Sequence, residues 1–364
     1  MANLIEAFDT LQTRVVEVPV DPFAIWPQNN ESTNESTRGE LLPVDQAASM
    51  ILKPASGSDF VGIYVSGSCD RGYWNSAGQK NWFSSESFVV DYSLAAKNEK
   101  AVKGSYSSQK FNTRDYADQI RRDQEQCQLL EQTIEKPKPG KYRVFLGPDA
   151  VMALVRMFNW GCIGESCIQR KESFLRLVRA GELQFSPKFS LTEDLTHGFV
   201  PRFSLTGEVS PRETELIKNG KFIQALVSRR TEKEYGVAAN GASESETMRS
   251  PKVNGGTLKQ GEILAKVGDG LFIPQLHYLN WSDRQTGRVT GMTRHACFTV
   301  KNGKLGAPIE NLRFDDSLAN LFGGKLEELT EKTEWTTENS TYGYRDLAGG
   351  IAPGALISEM NFAL

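Results

Sequence analysis

Hydrolytic metal chemistry needs imidazole, carboxylate or thiolate ligands held around one open coordination position. This sequence has three histidines, His197, His277 and His295, and five cysteines. No histidine is followed by glutamate, and no two lie close together in the chain. Cys162 and Cys167 are five apart in GCIGESC, which is not the C-x-x-C spacing of a zinc or redox pair. A cysteine nucleophile needs a neighbouring base, and no Cys–His pairing is visible for Cys162, Cys167 or Cys297. The glycine-containing runs at 66–68 and 161–164 lack the lysine and the spacing of a phosphate loop. Asp315 and Asp316 read as a helix cap, and Glu213 and Glu215 as a solvated strand face. The polar cluster of most interest is Gly291, Thr293, Arg294 and His295, on a strand beside the turn at Gly287. Small residues there allow close backbone approach, and Arg294 and His295 can orient a carboxylate or a carbonyl. The cluster reads either as an exposed strand face or as a contact for a peptide or a partner.

The chain that must hold these residues has 364 of them, room for about two domains. It is 39% hydrophobic and 24% charged, a balance that can build an ordinary core. A net charge of -3 argues against nucleic acid as the main partner, because phosphate binding needs a clustered basic surface. An odd, small number of cysteines in so long a chain points to free thiols in a reducing compartment. No apolar run reaches membrane-spanning length, and the first residues lack the basic and apolar blocks of a signal peptide. The expectation is a cytoplasmic protein.

In chain order, residues 3–13 read as a short amphipathic helix, and the polar stretch 27–39 as an exposed loop. Residues 60–106 alternate aromatics and valines with small polar residues, the pattern of an antiparallel meander. A helix is predicted over 112–135, capped by Thr113, with Tyr116, Ile120, Cys127, Leu130 and Ile134 on one face, interrupted at Asp123. The run KPKPG at 136–140 ends it and marks a domain boundary, since two prolines forbid continuation. A strand and a helix with Pro148 in its first turn follow, then a helix over 173–180. The letters KNGK occur at 218–221 and again at 301–304, each between strand-like runs. Asn-Gly tolerates the positive φ of a type I′ turn, so both read as hairpins, with shared turn chemistry favoured over an internal repeat. Residues 239–261 read as a second exposed loop, 271–279 and 293–300 as strands, and 317–322 as a short helix. The expected fold is α+β: an N-terminal antiparallel-sheet/helix domain over 1–136 and a larger β-rich domain over 140–364.

The segment GDGLFIPQL followed by TGRVTGMTRHACFTVKNGKLGAPIENLRFDDSLANLF, within 268–322, resembles the C-terminal signature of the TldD/PmbA family. The order is that family's: glycine-rich strand, small-residue turn, hairpin and helix start. Asn75, Ser76 and Gly78 in RGYWNSAGQKNWF match its strand-turn-strand, and GKYRVFLGPDAVMALVRMF resembles the entry to its larger domain. The end, PGALISEMNFAL, resembles its terminal strand. Against this pattern, the N-terminal domain is shortened.

Catalytic members of that family resemble zinc metalloproteases with an HExxxH motif and a cysteine ligand near the C-terminus. Counting from the matching strand, the motif falls near 154–161, where Arg156 and Met157 stand roughly in place of His and Glu, and Gly161 in place of the second His. No cysteine follows Cys297. The resemblance therefore implies a TldE (PmbA)-like subunit with no catalytic residue, metal or cofactor of its own. Its implied partner is a TldD-like HExxxH subunit holding zinc. The implied substrate is an unfolded peptide, or the leader of a ribosomally made peptide natural product, taken up along a strand edge. The alternatives are a regulatory protein of the gyrase-modulator type acting without a protease partner, and a homodimer in isolation.

Overall fold

The computed structural model describes residues 2–16, 18–25, 31–97, 100–337 and 348–363. Helix α1 (Ala2–Val15) forms over the predicted amphipathic stretch, and its Ile5, Phe8, Leu11 and Val15 are exposed. The first sheet has strands β1 (Asn34–Thr37), β2 (Asp59–Trp74), β3 (Lys80–Ala95) and β4 (Ala101–Ser108). β2 and β3 form one long hairpin whose turn is closed by Asn75: its Oδ1 accepts from the amides of Ala77 and Gln79, 3.1 Å each. β1 lies inside the stretch expected to be a loop, of which residues 27–30 fall outside the described residues. Its letters NEST carry no apolar alternation. Tertiary contacts hold it instead, as it runs parallel to β3 with Thr33 N donating to Asn81 Oδ1 at 2.8 Å.

Helices α2 (Val44–Leu52) and α3 (Thr113–Leu130) cover one face of this sheet. The N-cap of α3 is Asn112 and not the expected Thr113: the Asn112 Oδ1 accepts from the amides of Arg114 and Asp115, and Thr113 is the first helical residue. It also ends before Ile134.

The second sheet begins at β5 (Gly140–Leu146), which leads into α4 (Pro148–Arg156). Next come β6 (Leu191–Asp194), β7 (Glu213–Lys218), β8 (Lys221–Phe222) and β9 (Pro251–Val253). They are followed by β10 (Gly270–Ile273), β11 (Gln275–Asp283), β12 (Arg288–Arg294), β13 (Phe298–Lys301), β14 (Lys304–Pro308) and β15 (Arg313–Ser317). The last two are β16 (Leu326–Thr337) and β17 (Gly349–Ala363). β17 is the hub: it pairs antiparallel with β5, β15 and β16 and parallel with β9. Both KNGK hairpins form, with φ of 49° at Asn219, 77° at Gly220, 49° at Asn302 and 70° at Gly303. The strand expected over 271–279 is broken at Pro274, which has no amide hydrogen to keep the ladder going. The strand expected over 293–300 is broken at His295, whose φ is 65°. The stretch 239–261 is partly interior, since it contains β9 and buries Ala242, Met248 and Val253. The short helix after β15 spans Leu318–Leu321, and Asp316 Oδ1 accepts from Ser317 N at 2.7 Å.

The two sheets share a core. Ala296 and Phe298 from the second pack with Phe88, Tyr92, Leu94, Tyr116 and Ile120 from the first and its helix. Burying each large apolar side chain contributes about 1.5–3 kcal/mol, so this shared cluster fixes the two halves against each other.

Candidate functional site: a polar cleft beside an edge strand

Where the sheets meet, a cleft of about 590 Å³ opens along β4. β4 pairs with β3 on one side. Ala96 N donates to Lys100 O at 2.8 Å across the turn before it, and this sets the phase of the ladder. Counting on in steps of two, residues 102, 104 and 106 direct their backbone groups to β3, and 103, 105 and 107 direct theirs outward. The outward carbonyls are met by side-chain amides. Gln275 Nε2 donates to Lys103 O at 3.3 Å, and Gln119 Nε2 donates to Ser105 O at 3.1 Å. Two glutamines from α3 and β11 thus occupy places that the amides of a neighbouring strand would take.

Gln275 also reaches across the cleft, donating to Asp149 Oδ2 at 3.0 Å. Asp149 stands in the first turn of α4, whose start is locked to the end of β10: Gly147 N donates to Ile273 O at 2.9 Å. The Asp149 carboxylate is open to the solvent of the cleft. The protein around it still raises its pKa by desolvation, and Glu334 and Asp91 add to the rise. Asp123 faces the cleft from α3. Burial pushes its carboxyl up to about 6, against a hydrogen bond from Tyr92 OH that works the other way. Glu334, on β16, lies on the third side and pairs with Lys332 Nζ at 2.9 Å.

The four residues singled out in sequence do not act as one cluster. Gly291 and Thr293 turn to the interior. A Cβ on Gly291 would come 2.7 Å from Phe314 Cε1, so glycine is needed for β12 to lie against β15. Thr293 is buried, and its Oγ1 accepts from Leu312 N at 2.9 Å. Arg294 is half-buried opposite Gln275 in the β11–β12 ladder. His295 lines the cleft. Burial, then Arg294 and Lys103, lower its pKa to about 4, so its imidazole is neutral near pH 7. Sequence reasoning missed Asp149, Gln119, Gln275 and Glu334, which converge from four elements far apart in the chain. The one visible signal was Asp123, which breaks the apolar stripe of its helix.

Cys162 and Cys297 are held as thiols. Burial pushes Cys162 and Cys297 up to about 12, and the side-chain neighbour of Cys162 Sγ is Ser173 Oγ at 3.2 Å. Among the described residues no helix is long and apolar enough to cross a membrane.

Residues 139–364 match the profile described as the PmbA/TldA metallopeptidase C-terminal domain. The chain belongs to the PmbA/TldD family. No curated protein sequence matches it. Its fold is that of TldE from Thermococcus kodakarensis, with a TM-score of 0.71 at 16% identity over 99% of this chain and 84% of that one. A Thermotoga maritima protein described as a candidate modulator of DNA gyrase gives 0.74 at 15% identity, over 94% of this chain and 80% of that one. A similarly described protein of Bacteroides thetaiotaomicron gives 0.67 at 18%, over 88% and 72%. At these identities the likeness is one of fold.

The PmbA/TldD family name implies a metal, and the residues at 154–161 do not fit one. Leu154 and Val155 on α4, and Met157 and Phe158 just after it, are buried in the main apolar core. Arg156 donates to Thr336 O at 3.4 Å. These side chains offer no imidazole, thiolate or carboxylate to an ion. Replacing one of them with a ligand would bury a polar group in hydrocarbon. Among the described residues, no three His, Cys, Asp or Glu side chains come together as metal ligands.

Proposed function

We propose that this chain is a TldE-like, non-catalytic subunit of a two-chain peptidase, and that its cleft holds an extended peptide along β4 for a catalytic relative to cut. The observation that carries the reading is the pairing of two features on one chain. The segment where the family motif is expected is apolar core, while an open edge strand faces a cleft. Strand addition to an edge binds backbone, so it suits peptides of loose sequence preference, including unfolded chains and leader peptides. Gln119 and Gln275 keep the outward carbonyls satisfied until a peptide's own amides replace them. His295, held neutral, can donate to or accept from a peptide group at the end of the edge. The zinc chemistry belongs, in this reading, to an HExxxH-bearing relative. The test is size-exclusion chromatography of this chain with an HExxxH-bearing TldD-like protein of the same organism. Co-elution in equal amounts is expected. Separate elution at micromolar concentrations would remove the two-chain reading.

A further inference from the structure

The wall facing the edge strand carries charge from three separate elements. Asp123 comes from α3, Asp149 from the start of α4 and Glu334 from β16. They sit close enough to act on one another: Glu334 raises the pKa of both aspartates, and Asp149 raises that of Asp123. The hydrogen-bond donors that meet the two aspartates are neutral, Tyr92 OH and the Gln275 amide. A neutral donor stabilises a carboxylate less than a cation does. Of the nearby cations, Lys103 is paired with Asp91 and Lys332 with Glu334, while Arg122 and Arg156 act through space on Asp123 and Asp149 and lower their pKa.

An independent feature points to a ligand at the same place. Ser105 Oγ, on the edge strand itself, is shielded from solvent and has no hydrogen-bond partner among the described residues. A shielded hydroxyl without a partner is destabilising unless an incoming group meets it. The carboxylates do not close around one point as ligands of a metal ion. They suit instead an ammonium or guanidinium group, whose several N–H donors can engage separate acceptors.

We propose that the cleft selects extended peptides bearing a lysine or arginine, whose cation sits among Asp123, Asp149 and Glu334 while the peptide backbone pairs with β4. The proposal rests on the strand-edge reading above and adds the substrate class to it. A strand added to β4 stands about 4.8 Å away. Its alternate side chains project into the cleft, and a lysine or arginine stem is long enough to cross toward α4.

The experiment uses the full chain and two fluorescein-labelled decapeptides of alternating serine and valine, one with a central lysine and one with a central glutamine. Fluorescence anisotropy should show the lysine peptide binding roughly tenfold more tightly, a difference that shrinks toward unity in the double variant Asp149→Asn, Glu334→Gln. Raising salt from about 50 to about 500 mM should erode the lysine advantage and leave the glutamine peptide little changed, an arm that needs no variant to fold. Equal affinity for the two peptides would overturn the charge preference and leave the strand-edge reading standing. Failure of both peptides to bind would overturn both.

Discussion

Asp123 shows how one residue can report on the cleft. Its folded pKa of about 6 lies above the ordinary value of 3.8, with burial as the main cause. Between those two values the folded chain holds a proton that the unfolded chain has lost. Stability from this group is therefore greatest below the lower value, falls as pH rises through the window, and is flat above it. Asp123→Asn keeps an oxygen that can accept from Tyr92 and removes the titration. The variant should melt with the parent near pH 4 and above it near pH 7, by a margin worth about 1–3 kcal/mol. Thermal melts at both pH values check this. A variant less stable than its parent near pH 7 would show that the carboxylate is needed in its charged form. At this scale the sequence was half legible. The break in the helix stripe at Asp123 was visible. The inward turn of Thr293 was not, because the side that a strand residue faces depends on register with a distant partner, here β15.

At the scale of elements, the proposed function turns on β4. Its outward positions, 103, 105 and 107, give no backbone hydrogen bond to β3, and of their side chains that of Ser105 has no hydrogen-bond partner among the described residues, so a proline at 105 keeps the ladder to β3 and removes an amide that faces the cleft. Ser105→Pro should lower affinity for the lysine decapeptide by roughly tenfold or more and change the melting temperature by only a few degrees. Anisotropy and a melt on the same preparation test it. Undiminished binding by a folded variant would place the peptide elsewhere. Local signals read the elements well where the chemistry is local. The Asn-Gly turns at 219–220 and 302–303 needed only their own φ preferences. β1 and β9 were missed because three or four residues of mixed character become strands only when a long neighbour offers its edge. The helix expected over 112–135 stops at Leu130, where the turn after it prepares the crossing into β5.

At the scale of the whole molecule, the cleft exists because Phe298 and Ala296 of the second sheet are packed into the core of the first. No stretch of sequence contains it. Its parts come from α3, β4, α4, β11 and β16, and the pairing of β16 with β17 brings Glu334 to the same cleft as Asp123. The family resemblance supplied what periodicity could not, namely the family to which the larger domain belongs, and the profile match over 139–364 agrees with it. It also directed attention to 154–161, where buried Leu154, Val155, Met157 and Phe158 take the place of ligands. The central claim is that this chain presents a peptide and another chain cuts it. The measurement that tests it most directly is the rate of peptide hydrolysis by this chain, by its HExxxH-bearing relative, and by the two mixed in equal amounts, each with a chelator-treated control. The account predicts no hydrolysis by this chain alone and a chelator-sensitive rate for the mixture at least tenfold above that of the relative alone. Sustained hydrolysis by this chain alone, or a mixture no faster than the relative, would contradict it.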